Sequence, residues 1–142
     1  MTPRQRFFAT LASEPADRVP LFPLLMFFAA DRAGLTYREF ATGGARLAEA
    51  QLALQARYGL DAVTACSDAF RLAADLGGAM GYPEDKPPHL ASPLVTSSAD
   101  IDMLGAPDPT EGRQGDRVAA VAAMARAARG QFAVLGWIEM PF

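Results

Sequence analysis

The stretch LDAVTACSDAF, residues 60–70, decides how the rest of the chain is interpreted. The run from Leu60 to Cys66 predicts a buried strand. It ends on a hydroxyl, a carboxylate and an aromatic ring, at Ser67, Asp68 and Phe70. Such an ending has two interpretations. Either Ser67-Asp68 caps the helix that follows, or Asp68 lies at the mouth of a site and contacts a substrate.

Two further apolar runs predict strands on either side of this one. Val19 to Phe28 is too continuous for a half-exposed strand and indicates a buried one. Phe132 to Trp137 is the third candidate. Amphipathic helices separate the three runs, which implies parallel strands joined by right-handed crossovers. The predicted fold class is therefore α/β.

The helix boundaries follow from local capping signals. Thr2-Pro3-Arg4-Gln5 and Thr36-Tyr37-Arg38-Glu39 both fit the capping box. In it, the threonine hydroxyl accepts from the backbone N–H three residues later, and the side chain of that later residue accepts from the threonine N–H. Further helices are predicted over Ala45–Tyr58, Arg71–Leu76, Ser97–Leu104 and Asp116–Arg129, with Asp116 as the cap of the last, and loops over Tyr82–Pro93 and Gly105–Gly115.

Composition and charge exclude several classes of protein. The 142 residues are 51% hydrophobic and 20% charged, which suits one globular domain. The net charge of −3 argues against a nucleic-acid surface. The most apolar window, Val19–Ala30, is shorter than the roughly 18 residues of a membrane span and contains Pro20 and Pro23. A single cysteine cannot form an internal disulfide, so we expect a cytoplasmic protein.

The end of the chain leaves the predicted sheet incomplete. The third strand finishes almost where the sequence does, and no helix follows it. A parallel sheet normally has both faces covered. Either a partner chain supplies the cover or residues 1–142 are the front part of something larger, and we prefer the second interpretation.

Four segments, taken in order, resemble a known family. They are PADRVPLFPL (15–24), QARYGLDAVTACSDAF (55–70), PPHLASPLVTSSADIDML (87–104) and VLGWIEMPF (134–142). Together they resemble the N-terminal part of the uroporphyrinogen decarboxylase superfamily, which also holds the corrinoid-dependent methyltransferases. The resemblance implies a (β/α)8 TIM barrel, of which residues 1–142 are a truncated, single-domain portion with the first three or so β/α units. Active sites of such barrels lie at the carboxyl ends of the strands, which favours a site role for Asp68.

The resemblance also assigns roles to residues near the first two strands. Asp68 matches the acid of the Ser-Asp motif with which uroporphyrinogen decarboxylases hold the pyrrole N–H groups of their substrate, and Ser67 and Phe70 would line the same site. That decarboxylation needs no cofactor. Decarboxylases have Arg-Gln-Ala-Gly-Arg after the first strand, whereas this chain has FFAADR over residues 27–32. The resemblance leaves Arg32 as the replacement, with Arg71 a more distant one.

Aromatic residues replace the missing cations. Phe27 and Phe28 would bind a less anionic ligand, and with Trp137 they could line a flat macrocycle pocket. Large aromatic side chains more often fill a core. Both interpretations stay open.

The last segment resembles the methyltransferase branch more closely. That branch often has Glu-Gly-Pro-Phe here, which makes Glu139 a second catalytic acid at the barrel mouth or a solvated charge at a strand end. The branch binds a thiol through zinc with His-x-Cys and a later Cys. Only Cys66 and His89 are available here, and we expect Cys66 to pack as a small hydrophobe and His89 to lie in an exposed loop. This portion therefore implies no metal site.

Four functional hypotheses follow. The preferred one is a barrel of the corrinoid- or cobalamin-dependent methyltransferase kind, for which zinc and a corrinoid are possible cofactors. The alternatives are uroporphyrinogen III decarboxylase of porphyrin biosynthesis, a carboxy-lyase without a cofactor, and a non-catalytic fragment or binding remnant. A small unrelated α/β ligand-binding domain, with Ser67-Asp68 as a cap, is a weaker possibility. Expected partners are a tetrapyrrole, corrinoid or other small molecule and further copies of the chain, joined through exposed barrel edges.

Overall fold

A computed structural model describes residues 1–84 and 86–138. The predicted site residue Glu139 lies outside the described residues. The helices are α1 Pro3–Leu11, α2 Met26–Ala33, α3 Tyr37–Thr42, α4 Gly44–Tyr58, α5 Arg71–Asp75, α6 Ser98–Asp102 and α7 Gly112–Ala128. The strands are β1 Ala62–Thr64, β2 Met80–Gly81, β3 His89–Leu90 and β4 Ala133–Leu135.

Strands β1 and β4 form a parallel pair, as the sequence predicts. Ala62 pairs with Ala133, and Thr64 with Leu135. Each strand has three residues and is therefore shorter than the apolar run that predicts it. Strands β2 and β3 pair antiparallel in the excursion between α5 and α6. The sequence predicts a loop over most of that segment.

The core lies between the parallel pair and the two longest helices. Phe40, Leu47 and Met124 are fully buried and pack in one cluster with Val63 of β1. Helix α4 presents its apolar side to this cluster and ends at Tyr58. Gly59 follows with a φ of 63°, the left-handed conformation that glycine adopts without strain. The predicted end of this helix is confirmed.

The first predicted strand is wrong. Residues 19–25 carry no strand, and α2 begins at Met26, so Phe27 and Phe28 lie on a helix. The Leu21 carbonyl accepts one bond from Asp61 N at 2.9 Å beside the start of β1. Pro20 and Pro23 have no N–H to donate, which prevents a ladder from forming.

The start of α7 also differs from the prediction. The helix begins at Gly112, within the predicted loop, and Asp116 lies one turn inside it. The cap comes from elsewhere in the chain, since the Asp75 carboxylate accepts from Arg113 N and Gln114 N, both at 2.8 Å. Asp116 instead accepts from Gly44 N at 2.6 Å. Each long helix therefore has its amino end held by a distant acid.

The two capping boxes are confirmed. Thr2 accepts from Gln5 N, and Thr36 accepts from Glu39 N, with the reciprocal bonds also present. Within the described ranges, 1–84 and 86–138, no helix is long and apolar enough to span a bilayer.

A buried carboxylate fixes the amino end of β1. Asp61 is 0% exposed and forms ion pairs with Arg6 and Arg18. It also accepts from Leu21 N at 2.6 Å. These contacts join α1 and the segment after it to the strand.

Candidate functional site

Ser67 and Asp68 lie just beyond the carboxyl end of β1. Because β1 and β4 run parallel, residues 136–138 after β4 lie at the same end of the sheet. Ser67 is 0% exposed and Asp68 is 7% exposed. The sequence therefore brings a buried hydroxyl and a buried carboxylate to the end where barrel enzymes bind substrates.

Four hydrogen bonds occupy the Asp68 carboxylate. Its Oδ1 accepts from Phe70 N at 3.0 Å and from Arg113 Nη1 at 3.2 Å. Its Oδ2 accepts from Ser67 Oγ at 2.7 Å and from Arg113 Nη2 at 2.5 Å. A carboxylate offers about four acceptor positions, so this arrangement uses them all.

The pKa of Asp68 lies below its ordinary value. Burial works to raise the pKa, but the hydrogen bonds from Arg113 and Ser67 and the Arg113 charge outweigh burial and lower it. Asp68 is therefore ionised at neutral pH.

Asp68 does not cap α5. The residue before that helix is Phe70, and no side chain caps its first turn. Asp68 bonds the Phe70 N–H two residues on, which is a local turn typical of aspartate. The capping interpretation of Ser67-Asp68 is wrong.

Three arginines surround the Ser-Asp pair. Besides Arg113, Arg117 Nη2 donates to Ser67 Oγ at 2.7 Å, and Arg71 Nη1 lies 3.4 Å from the same oxygen. Arg71 is 1% exposed and Arg117 is 5% exposed. Burial, followed by repulsion from Arg71, lowers the pKa of Arg117 to about 10. We call Arg71, Arg113 and Arg117 the arginine cluster.

Of the arginine cluster, only Arg71 is among the site residues predicted from the resemblance. Arg113 and Arg117 stand at i and i+4 on α7, a spacing that places two side chains on one helix face. This spacing predicts a pair of arginines on one helix face only when the helix begins at or before Arg113, as α7 does. The predicted cap at Asp116 placed Arg113 in a loop.

The site residues predicted on the first strand and just after it pack elsewhere. The Phe27 ring lies 4.3 Å from the Tyr37 ring, and the Arg32 guanidinium lies 5.2 Å from the Phe28 ring, centroid distances in each case. Phe28 and Arg32 are exposed. A substrate contact of these residues stays a prediction.

The described residues do not fit a zinc site. Cys66 is buried with its Sγ 3.2 Å from Met26 Sδ, and His89 is exposed on β3. Over residues 1–84 and 86–138, no group of three His, Cys, Asp or Glu side chains is placed to hold a metal ion. The expected packing of Cys66 is confirmed.

Two adjoining cavities lie against the arginine cluster, and we call them the polar and apolar cavities. Their volumes are about 260 Å³ and about 390 Å³. Arg117, Val118, Trp137 and Ile138 line both. Arg71 and Gln114 add to the first, and Val121 and Ala122 to the second. No described residue is assigned to a corrinoid.

Comparisons with known proteins give the family and the fold. The uroporphyrinogen decarboxylase (URO-D) family model matches residues 2–142. A search of curated proteins found no match. A solved methyltransferase from Methanosarcina mazei has a TM-score of 0.79 and 20% identity, over 96% of this chain and 42% of that chain. This chain thus spans less than half of that structure, and the likeness shows a shared fold. With a family match over nearly its whole length, the chain belongs to the uroporphyrinogen decarboxylase family.

Proposed function

We propose that this chain forms part of the catalytic barrel of a corrinoid-dependent methyltransferase within the URO-D family. The observation that carries the proposal is the saturated carboxylate of Asp68. A decarboxylase of this family needs that carboxylate to accept N–H groups from its substrate. Here a ligand would first have to displace Arg113.

Two other observations support the same choice. The matched solved structure is described as a methyltransferase. Phe27 and Phe28 stand in the stretch where decarboxylases carry Arg-Gln-Ala-Gly-Arg, and neither side chain can bind a carboxylate by charge. Both favour a substrate with fewer carboxylates than a porphyrinogen.

In this proposal Asp68 is a positioning residue. Its pair with Arg113 joins the carboxyl end of β1 to the first turn of α7. Ser67 accepts from Arg117 and donates to Asp68, so the hydroxyl keeps one orientation. These bonds fix the end of β1 relative to the first turns of α7. A bound corrinoid would supply the reactive methyl–cobalt chemistry, and neither it nor zinc is assigned to residues described here.

Uroporphyrinogen III decarboxylation is the second candidate, and the arginine cluster favours it. Arginine binds carboxylates through paired N–H groups, and the cluster lies beside the Ser-Asp motif. In that case Asp68 would be a catalytic residue that stabilises positive charge on a protonated pyrrole.

An assay of the complete gene product with both substrates tests the proposal. We expect transfer of the methyl group from methylcob(III)alamin to a thiol, which yields a thioether, cob(I)alamin and a proton, followed by visible absorbance. We expect no coproporphyrinogen from uroporphyrinogen III by chromatography. Decarboxylation without methyl transfer would contradict the proposal, and the absence of both activities would favour the non-catalytic alternative.

A variant of the acid separates the two roles of Asp68. As a positioning residue, Asp68→Asn should raise KM more than it lowers kcat, because the amide still accepts from Phe70 N. A catalytic carboxylate would instead lose kcat by about 100-fold or more. Asp102→Asn, at an exposed position of α6, is the matched control.

A further inference from the structure

Within the arginine cluster, Arg117 is the member with two buried donor atoms unused. Arg117 Nη2 donates a hydrogen bond to Ser67 Oγ. The Nε and Nη1 atoms of Arg117 are buried with no hydrogen-bond partner among the described residues. Buried donors without partners cost free energy and are uncommon in native structures. Arg117 is 5% exposed and lines both cavities. Its unused donors therefore point to a bound ligand as their partner.

The charges around Arg117 favour an anion. Arg71 stands on the same cavity wall, and its charge works to lower the pKa of Arg117. Two acids whose charges act on Arg117 are already engaged, since Asp68 is bonded to Arg113 and Asp116 to Gly44 N. An oxyanion in the polar cavity would relieve the repulsion between the two arginines and accept from the unused donors.

The neighbouring cavity defines the rest of the ligand. The apolar cavity continues from the same wall of Arg117 and Trp137 to Val121 and Ala122. Val118 lies between the two and is 58% exposed. A ligand that fills both cavities has a charged head at the arginines and an apolar body along α7.

We propose that Arg117, Arg71, Gln114 and Trp137 form a binding site for a small carboxylate with an apolar body. The carboxylate lies in the polar cavity against Arg117, and the body lies in the apolar cavity against the Trp137 indole. The site is separate from the acceptor positions of Asp68. It goes beyond methyl transfer, and its occupancy can be measured without turnover.

Fluorescence of Trp137 provides the measurement, because it is the only tryptophan of the chain. The full chain is titrated with benzoate, with benzyl alcohol as the neutral analogue and inorganic phosphate as the anion without an apolar body. We expect saturable quenching by benzoate at least tenfold tighter than by either of the other two. Equal affinity for benzyl alcohol would overturn the role of the arginines. Equal affinity for phosphate would overturn the role of the apolar cavity.

A pair of variants on one helix tests the residue. Arg117→Met keeps the length of the side chain and removes its donors, and we expect benzoate binding to weaken at least tenfold. Arg126→Met makes the same change at an exposed position of α7 and should bind within twofold of the wild type. Unchanged binding by Arg117→Met would overturn the proposal.

A second variant keeps the test valid if Arg117→Met does not fold. Val118→Glu places a carboxylate at the exposed mouth shared by both cavities and should weaken benzoate binding about fivefold or more by like-charge repulsion. Val118→Gln is the control of equal shape. Equal weakening by both, or by neither, would contradict a carboxylate site.

Discussion

Two buried aspartates, one at each end of β1, do different work in this protein. Asp68 follows the carboxyl end and holds the candidate site together through Arg113. Asp61 precedes the amino end and holds the N-terminal segment through Arg6 and Arg18. In barrels the first end carries chemistry and the second carries stability. The same residue type therefore holds different parts of the chain at the two ends of one short strand.

Asp61 should make the protein sensitive to acid. Burial works to raise its pKa, but the Leu21 N–H, Arg6 and Arg18 outweigh burial and lower it. The folded pKa then lies below the unfolded value of about 3.9, so the contribution to stability is complete above that pH and is lost as pH falls through the folded pKa. Urea unfolding from pH 7 to pH 2 should show a free energy of unfolding that decreases below about pH 4.

Asp61→Asn should remove part of that dependence. The variant leaves two arginines near an uncharged amide, which should cost about 3–5 kcal/mol at neutral pH. The remaining acid dependence would come from other carboxylates, including Asp68. Asp102→Asn serves as the exposed control, and an Asp61→Asn protein as stable as the wild type at pH 7 would contradict this account.

The sequence predicts single residues well where the signal is local. Asp68 follows a recognisable apolar run, so its position at the end of a strand could be read directly. Its partner Arg113 stands 45 residues later, and no local pattern connects the two. Asp61 lies inside the apolar run, where its burial depends on arginines from α1 and the following segment.

At the scale of elements, the close approach of α4 and α7 depends on a glycine. A Cβ on Gly44 would clash with the Asp116 carbonyl oxygen and approach its carboxylate. The same glycine donates its N–H to that carboxylate. The two longest helices therefore meet where one of them has no side chain.

Gly44→Ala should separate these helices. The added methyl group meets backbone atoms that cannot move aside, so we expect a loss of about 1–3 kcal/mol in the free energy of unfolding. Thermal and urea melts measure it. Gly105→Ala is the matched control, since nothing lies within 4 Å of its added Cβ, and it should change stability by less than about 0.5 kcal/mol.

The elements that the sequence predicts correctly are those with a cap close in the chain. Helices α1 and α3 begin at their own threonines, and α4 ends at its own glycine. Helix α7 takes its cap from Asp75, 38 residues before Arg113, so its start could not be predicted locally. The first predicted strand is wrong because its hydrophobicity suits a buried strand, but Pro20 and Pro23 have no N–H to donate to a ladder.

At the scale of the molecule, the parallel pair leaves apolar surface exposed. Among the described residues, β1 and β4 each have one ladder partner. Large apolar side chains are also exposed, with Val19 at 84%, Met103 at 85% and Ile138 at 87%. Unpaired strand edges and exposed apolar side chains favour association.

We therefore expect the isolated chain to self-associate. Light scattering coupled to gel filtration should give a mass above the 15.1 kDa of one chain, increasing with concentration. Ile138→Lys should shift the distribution towards the monomer, whereas Arg126→Lys, exposed on α7, should leave it unchanged. A monomer at all concentrations with a cooperative melt would contradict this expectation.

The parallel pairing of the whole molecule was predictable because alternating apolar runs and amphipathic helices permit few topologies. The small antiparallel pair in the excursion was not, since Met80 and His89 belong to no periodic pattern. The arginine cluster arises only when α5, α7 and the end of β1 are brought together.

The bond from Asp75 to the first turn of α7 has a consequence for how this family can vary. It joins the two ends of the segment between α5 and α7, which includes β2, β3 and α6. Insertions, deletions or exchanges within that segment should leave the distances between the Arg71, Arg113 and Arg117 side chains unchanged. A relative with a different segment at this place can therefore cover the carboxyl end of the sheet differently while the arginine cluster keeps its geometry.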